Sequence, residues 1–294
     1  MSRLFCLLLL MFTLPLAAQP VGNGPTAANT ARPGYFVYQY IPPKDPALKD
    51  IYALAKSTNI LSRLREVDAI GNGLFMMPDL PIVTAECGQV NAFYHTRRKV
   101  VVVCYEMMNS LVEEARAAAK ANPKLGNGDP EGFTAHFLLA NLRFIVLHEV
   151  GHALIDILEL PTVGREEDAV DQFAAKFMIM LMAPDAPIPE PPETTVEHYR
   201  LASLWFLGRG QGDGSYGMKA FADEHSLSEQ RYFNMMCYLY GSNPARLLWV
   251  VTRAGLPEER ATRCPDETAQ MERSWSRLLS PHFNKALTSG ARRR

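Results

Sequence analysis

Two histidines and a glutamate in the pattern His148-Glu149-x-x-His152 are the residues of this chain best suited to chemistry. Side chains four residues apart on a helix project from one face, so the two imidazoles could bind a single metal ion. The Glu149 carboxylate would then reach a water molecule at that ion. Neutral imidazole ligands beside a general base are typical of hydrolytic zinc sites. The pattern therefore predicts a catalytic zinc site, and a pair of core histidines is the alternative.

The surrounding residues predict that this pattern lies on a long and dry helix. Asp129-Pro130-Glu131 has the residue types of a helix N-terminus: an N-cap, a first-position proline and a first-turn acid. Apolar residues follow at helical spacing on both sides of the histidines, and Pro161 is expected to end the helix. Gly151 costs the helix about 1 kcal/mol relative to alanine, which suggests that another element packs closely there. A buried Glu149 beside two core histidines is hard to explain without a metal.

The N-terminal segment 1–18 predicts a signal peptide. Arg3 supplies a positive charge, residues 4–14 form an apolar run, and Ala17-Ala18 is typical of a cleavage site. The apolar run is shorter than the roughly 20 residues that span a bilayer; an uncleaved N-terminal anchor is the alternative. We therefore expect an exported protein, periplasmic or secreted, with no stable membrane span after signal cleavage.

Four cysteines follow the predicted signal peptide and indicate two disulfides. Four cysteines allow three connectivities. Cys87 and Cys104 flank a predicted β-hairpin, whereas Cys237 and Cys264 flank two predicted helices. We therefore expect the local pairs Cys87–Cys104 and Cys237–Cys264, with four reduced thiols as the alternative. In an oxidising compartment each bridge would contribute about 2–4 kcal/mol to stability.

The charge balance of the chain gives no indication of a nucleic-acid partner. The formal net charge is -1 over 294 residues, whereas nucleic-acid-binding domains carry a basic bias. The Arg292-Arg293-Arg294 run is short and is typical of a solvated tail. The composition says nothing about the oligomeric state.

The order of predicted elements indicates an α+β fold, because strands dominate the first part of the chain and helices the rest. Residues 19–34 are expected to be a flexible leader before a catalytic part at 35–183. Five prolines at 184–192 predict a connection to a helical lobe of the same domain at 193–290. The predicted strands are 35–41, 74–77, 81–85 and a hairpin at 91–94 and 100–105; the predicted helices are 46–66, 106–121, 166–182, 194–207, 229–240, 244–254 and 266–279.

A catalytic zinc needs a third protein ligand, and the nearest downstream carboxylates are Glu166, Glu167 and Asp168. Helical periodicity places the first two beside the buried face of the next helix and Asp168 away from it. Glu167 and Asp171 stand four residues apart, so Glu167 could bind the metal while Asp171 accepts the outer N–H of a ligating histidine. We therefore choose Glu167 as the third ligand of one zinc per chain. Glu166 is the alternative, and both could be plain helix N-terminal acids.

His148-Glu149-x-x-His152 followed by Glu167-x-x-x-Asp171 resembles the gluzincin arrangement of zinc peptidases. The sequence from His148 to Gln172, together with Glu86-Cys87-Gly88, Cys104-Tyr105-Glu106 and the region from Glu229 to Pro244, resembles a bacterial family of exported metallopeptidases with no assigned substrate. The resemblance covers most of the mature chain. It implies a zincin-like fold with a small N-terminal sheet, an active-site helix and a helical C-terminal lobe. The gap between His152 and Glu167 is shorter than in better-known gluzincins, which bears on the choice of ligand.

The resemblance also implies where a transition-state donor would come from. Gluzincins commonly recruit this donor from a helical lobe after the third ligand, so His225 and Tyr232 are candidates. The two acids that precede His225 could orient it. His198 and Tyr199 are rivals, and a packing or surface role is the alternative for each of these residues.

The valine-rich strand at 100–103 has two possible positions in the sheet. In zincin folds an edge strand above the metal helix pairs with the extended substrate, and the resemblance suggests that role for this strand. Four consecutive valines also fit an interior strand that is buried on both faces.

The residues and the resemblance together predict a zinc metallopeptidase. Glu149 would act as general base while a zinc-activated water attacks the carbonyl of a peptide or protein substrate. The alternative is a catalytically silent zincin-fold binding protein of the cell envelope. The presence of Glu149, and the lack of a fourth Cys or His at ligand spacing, favour the enzyme. Histidine and carboxylate ligands suit zinc best among the divalent ions.

Overall fold

Strands occupy the first part of the chain and helices the rest, so the predicted α+β class is confirmed. A computed structural model describes residues 32–180, 191–210, 212 and 214–290. The signal peptide predicted at 1–18, most of the leader at 19–34 and most of the connection at 184–192 lie outside these residues. The strands are β1 (Pro33–Tyr40), β2 (Asn72–Met76), β3 (Leu80–Ala85), β4 (Ala92–His95) and β5 (Val100–Cys104). The helices are α1 (Lys49–Thr58), α2 (Arg65–Gly71), α3 (Tyr105–Ala121), α4 (Pro130–Ile157), α5 (Glu166–Met180), α6 (Pro192–Arg209), α7 (Met218–Phe221), α8 (Ser228–Ser242), α9 (Trp249–Thr252), α10 (Glu258–Ala261), α11 (Cys264–Leu279) and α12 (Lys285–Gly290).

The five strands form one mixed sheet in the order β2-β1-β3-β5-β4. β1, β3 and β5 are parallel neighbours, while β2 and β4 run antiparallel to them at the two edges. The predicted hairpin at 91–105 is confirmed, with Phe93 opposite Val102. β5 lies between β3 and β4, so the edge position suggested for strand 100–103 is wrong and the interior position is right. The shorter, more polar β4 occupies that edge.

The structure moves the ends of two predicted segments. β1 begins at Pro33, so Pro33 and Gly34 belong to the sheet and not to the leader. Gly34 is needed there because a Cβ at this position would lie 2.7 Å from the Met77 carbonyl oxygen. Helix α6 begins at Pro192, the last residue of the predicted connection. Pro192 is well suited to the first turn of a helix, where its missing N–H costs nothing.

Two of the predicted helices are wrong in extent. The helix predicted at 46–66 is interrupted, because Asn59 adopts a left-handed conformation with φ 47° and ends α1. The helix predicted at 244–254 shrinks to the single turn of α9. There the Asn243 side chain accepts a hydrogen bond from the Arg246 N–H at 3.2 Å and stabilises a turn instead.

Helix α4 carries the histidine pattern through the centre of the protein. Its N-terminus forms as predicted: Asp129 Oδ1 accepts a hydrogen bond from the Gly132 N–H at 2.9 Å, and Pro130 is the first helical residue. The helix is apolar around most of its circumference, as expected for one surrounded by other elements. Among the described residues it is the one helix long and apolar enough to cross a membrane, but 89% of its apolar window is buried inside the protein. It is therefore the core helix of this fold.

Gly151 is the point at which α5 approaches α4 closely, as the sequence predicted. A Cβ at this position would lie 2.9 Å from Val170 Cγ1 and 3.0 Å from Val170 Cβ. We expect Gly151→Ala to destabilise the protein by about 1–3 kcal/mol through overpacking, although alanine favours a helix by roughly 1 kcal/mol. Urea unfolding of the two proteins measures this difference. Equal or greater stability of the variant would show that α5 moves away without cost.

The two predicted disulfide pairs are confirmed. Cys87 pairs with Cys104 across a Cα separation of 5.5 Å, and Cys237 pairs with Cys264 at 5.1 Å. The first joins the segment after β3 to the end of β5, and the second joins α8 to α11. Disulfides persist in oxidising compartments, so these two pairs favour an oxidising environment for the protein.

Candidate metal centre

Three imidazoles converge on the carboxylate of Glu167. His148 Nε2 lies 3.0 Å from Glu167 Oε2, His152 Nε2 lies 3.3 Å from Oε1, and His225 Nε2 lies 3.0 Å from Oε2. α4 supplies His148 and His152 one helical turn apart, the first turn of α5 supplies Glu167, and the loop before α8 supplies His225. Ligand atoms of His148, Glu167 and His225 all lie within 4.8 Å of one another. The fold thus gathers nitrogen and oxygen donors from three separate segments.

Each of these imidazoles has a carboxylate on its outer nitrogen. His148 Nδ1 lies 2.8 Å from Asp171 Oδ1, and His152 Nδ1 lies 2.7 Å from Glu166 Oε1. His225 Nδ1 lies 3.2 Å from Asp223 Oδ1, on the same loop. A carboxylate accepts the Nδ1 proton, so it fixes the tautomer in which Nε2 carries a free lone pair. The predicted contact between Asp171 and a histidine is therefore present, and Glu166 occupies an equivalent place on His152.

Arg231 extends the contact between Asp171 and His148 into the helical part of the fold. Its Nε atom donates a 2.7 Å hydrogen bond to Asp171 Oδ2, and its Nη2 atom donates one of the same length to Asp171 Oδ1. The guanidinium also lies 4.1 Å above the Phe206 ring of α6. This bidentate geometry holds both the position and the orientation of the carboxylate. Arg231 on α8 therefore restrains the His148 ring through Asp171.

The arrangement of donors fits a divalent cation. When Nδ1 donates to a carboxylate, the Nε2 atom of a neutral imidazole is an acceptor, yet here three such atoms face the acceptor oxygens of Glu167. Glu167 Oε2 is buried, and its two imidazole neighbours in this tautomer present acceptor nitrogens and donate no hydrogen bond to it. Acceptor atoms that face one another need positive charge between them. This charge must come from extra protons on adjacent imidazoles or from a single cation. The His148 and His152 rings lie only 5.0 Å apart, which disfavours two imidazolium ions.

The protein groups themselves produce large pKa shifts at this cluster. Burial lowers the pKa of His148, but the Asp171 and Glu167 carboxylates outweigh it and raise that pKa to about 9. Burial raises the pKa of Glu167, and the three imidazoles reverse this and hold it well below its usual range. Burial likewise raises the pKa of Asp171, but Arg231 and then His148 lower it overall. The cluster thus keeps its carboxylates ionised and, without a metal, favours a proton on His148, which a metal ion would have to displace because only neutral imidazole is a metal ligand.

Glu149 faces a cleft of about 540 Å³ between α4 and the edge strand β4. Its side chain is largely buried, and burial raises its pKa. The backbone amide of Tyr94 on β4 lies near this carboxylate and partly offsets that rise. The cleft is lined by β4 and its flanking residues, the metal-site cluster and nearby acids: Asn91, Ala92, Phe93, Tyr94, Thr96, His148, Glu149, His152, Ile155, Asp156, Glu166, Glu167, Glu224 and His225.

The structure brings His225 to the cluster and keeps Tyr232 out of it. The Tyr232 hydroxyl donates a 2.6 Å hydrogen bond to the Ala254 carbonyl, and its side chain is buried among the helices. The rivals are also engaged elsewhere: the Tyr199 hydroxyl donates to the Met235 carbonyl, and the buried His198 contacts Arg143. His225 alone among these four lines the cleft.

Sequence reasoning did not identify two residues that shape this site. Arg231 lies sixty residues after Asp171, and local spacing cannot relate positions so far apart. Asp156 lines the cleft and stands four residues after His152. Its helical spacing places it on the face that carries both histidines, and this was the available signal.

Comparison with known proteins identifies one family. Residues 40–279 match a protein family described as "Putative metallopeptidase". No curated protein and no solved structure matches the chain. The family match covers about four fifths of the sequence and includes every residue of the cluster described above. The protein therefore belongs to this metallopeptidase family.

Proposed function

We propose that this protein is a zinc-dependent peptidase. The observation that carries the proposal is the convergence of three imidazole Nε2 atoms on Glu167, each with a carboxylate on its Nδ1. Such outer carboxylates are the usual support of metal-bound histidines. Membership of a metallopeptidase family gives the site its reaction class.

His148, His152 and Glu167 would hold the zinc in this account. When bound, zinc supplies Lewis-acid chemistry that polarises a carbonyl and eases the deprotonation of water. Glu149 adjoins the first of these ligands and faces the cleft. It accepts a proton from the attacking water and passes it to the leaving amine. Its largely buried position favours the first of these transfers, because burial raises the proton affinity of a carboxylate.

The free edge of β4 is the proposed docking strand for an extended substrate. The Asn91 carbonyl accepts from the Cys104 N–H, and the His95 carbonyl accepts from the Lys99 N–H. Along an antiparallel ladder, every second residue directs its backbone N–H and C=O toward the neighbouring strand, and the residues between them direct theirs away. Ala92 and Tyr94 are residues of the second kind, so their backbone groups point away from β5. The Tyr94 N–H lies near the Glu149 carboxylate, so the Tyr94 carbonyl and both backbone groups of Ala92 are the ones proposed to pair with a peptide backbone.

A digest of a broad peptide library by the mature protein tests the proposal. We expect cleavage that disappears with a chelator and returns when zinc is added back. Because the predicted signal peptide and the two disulfides favour export, the protein should be prepared with its disulfides oxidised. Cleavage that is insensitive to the chelator, or no cleavage of any peptide, would contradict the proposal.

A second candidate function follows from the position of His225. His225 offers a ligand atom within 4.8 Å of those of His148 and Glu167. If it binds the metal together with His148, His152 and Glu167, the zinc would have four protein ligands and the site would be closed, as in structural zinc sites. The protein would then be the catalytically silent binding protein that the sequence left as an alternative. We favour catalysis because the His225 side chain is 40% exposed and lies on a loop that borders the cleft.

The variant His225→Ala separates these two functions. If His225 donates a hydrogen bond to the developing oxyanion, the variant keeps its zinc and loses about 10²–10³-fold in kcat. If His225 is a fourth ligand, zinc affinity falls instead. Competition with a chromophoric chelator measures affinity and peptide hydrolysis measures kcat. His282→Ala, which removes a histidine from a 3-10 turn after α11, is the control.

A further inference from the structure

Asp156 joins the edge strand to the metal-site helix through contacts that lie outside the metal cluster. Its Oδ2 atom accepts a 2.7 Å hydrogen bond from the Tyr94 hydroxyl of β4. The same atom accepts a 2.5 Å hydrogen bond from Lys99 Nζ in the β4–β5 turn. Asp156 itself lies one helical turn beyond His152 on α4. We call the three residues Asp156, Tyr94 and Lys99 the hairpin clamp.

The backbone of the turn indicates that Lys99 has a specific task. Its φ of 51° lies in the left-handed region, which is unfavourable for a lysine and more suitable for glycine or asparagine. The Lys99 N–H donates to the His95 carbonyl at 2.8 Å, so the turn closes without the side chain. The ammonium group instead reaches Asp156 on another element. A strained residue with such a contact is a candidate for a functional constraint.

The clamp and Glu149 both adjoin the same residue of β4. The Tyr94 hydroxyl donates to Asp156, while the Tyr94 backbone amide lies near the Glu149 carboxylate, and both residues line the cleft. Both acids lie on α4, seven residues apart and therefore on one face of the helix. The position of β4 along α4 thus sets the contact between Tyr94 and the proposed general base. It also sets the position of the free backbone groups of Ala92.

We propose that Asp156 is a positioning residue that fixes the edge strand β4 on the metal-site helix, so that Glu149 and the substrate-binding edge keep their places beside the metal. This inference rests on the proposed function. The Tyr94–Asp156 hydrogen bond is charge-assisted and partly buried, so it contributes most. The Lys99–Asp156 pair contributes less, because its side chains are 50% and 32% exposed and water screens them.

Four variants test the clamp in the zinc-loaded protein. Misplacement of a substrate-binding group by about 1 Å can cost about a hundredfold in rate, so we expect Asp156→Ala to lower kcat/KM by between tenfold and a hundredfold on that scale. Tyr94→Phe should lower it by about tenfold and Lys99→Asn by about threefold. Asparagine suits the left-handed turn, so the loss in Lys99→Asn reports the missing ammonium group. Lys99→Arg keeps a cation and should retain most of the activity. Zinc affinity should stay unchanged in all four.

Hydrogen exchange of the hairpin amides provides a readout that does not depend on peptidase activity. We expect residues 92–99 to exchange faster in zinc-loaded Asp156→Ala than in the parent, with Glu159→Gln in the exposed turn just after the same helix as control. Unchanged exchange and unchanged kcat/KM would overturn the inference, as would a loss of zinc in place of a loss of kcat/KM. If the parent cleaves no peptide, the proposed function fails while the exchange result still decides whether the clamp positions β4. Tyr94→Phe and Lys99→Asn serve if Asp156→Ala does not fold.

Discussion

Glu149→Gln is expected to abolish peptide hydrolysis while the protein keeps its zinc. Glutamine preserves the shape of the side chain and keeps an acceptor oxygen, but it cannot take a proton from water. General-base catalysis contributes about 10²–10⁴-fold to such reactions, and we expect a loss of kcat in that range. Peptide hydrolysis and metal analysis of the same preparation measure the two quantities.

The folded state should tolerate this substitution. Burial raises the pKa of Glu149, and a carboxyl group whose pKa rises on folding destabilises the folded chain at neutral pH. Removal of its charge should therefore leave the unfolding temperature of the zinc-free protein equal or higher. Glu159→Gln, in the exposed turn just after the same helix, is the matched control and should keep full activity. If Glu149→Gln remains active, Glu149 is not the general base.

Glu167→Ala is expected to remove the zinc itself. Its carboxylate is the group on which all three imidazoles converge, and its side chain is only 16% exposed. Loss of a residue that merely supports a ligand costs about 10–100-fold in metal affinity, so loss of the ligand should cost more than about a hundredfold. Peptide hydrolysis should disappear with the metal. Competition with a chromophoric chelator measures the affinity.

The zinc affinity of Glu166→Ala should be compared with that of Glu167→Ala. Glu166 contacts the outer nitrogen of His152 and is half exposed, so its loss should cost about tenfold in zinc affinity or less. The two variants therefore distinguish the ligand from its neighbour, which periodicity alone could not do. A larger loss in Glu166→Ala than in Glu167→Ala would assign the ligand to Glu166 and contradict this account.

Local signals in the sequence were sufficient for several parts of this fold. The N-cap at Asp129, the hairpin between Asn91 and Tyr105, and the close approach at Gly151 each depend on residues within one segment or on a single missing side chain. Both disulfides also follow local order along the chain. Short-range chemistry of this kind is specified by neighbouring residues.

Features that depend on tertiary placement were beyond the reach of sequence patterns. Four valines in β5 fit either an edge or an interior strand, and the order of strands in the sheet decided between them. The contact between Arg231 and Asp171 joins two helices that are far apart in sequence. The left-handed conformation of Asn59 ends a helix whose apolar spacing continues beyond it. The first two features depend on packing between distant elements, whereas the third is a left-handed helix end that asparagine adopts readily.

The most direct measurement of the central claim is a titration of zinc into the metal-free mature protein, followed by peptide hydrolysis. The account predicts that the rate rises in proportion to the added zinc and stops rising at one equivalent per chain. A protein that takes up one equivalent of zinc and cleaves no peptide, or one that cleaves peptides at a rate independent of zinc, would contradict it.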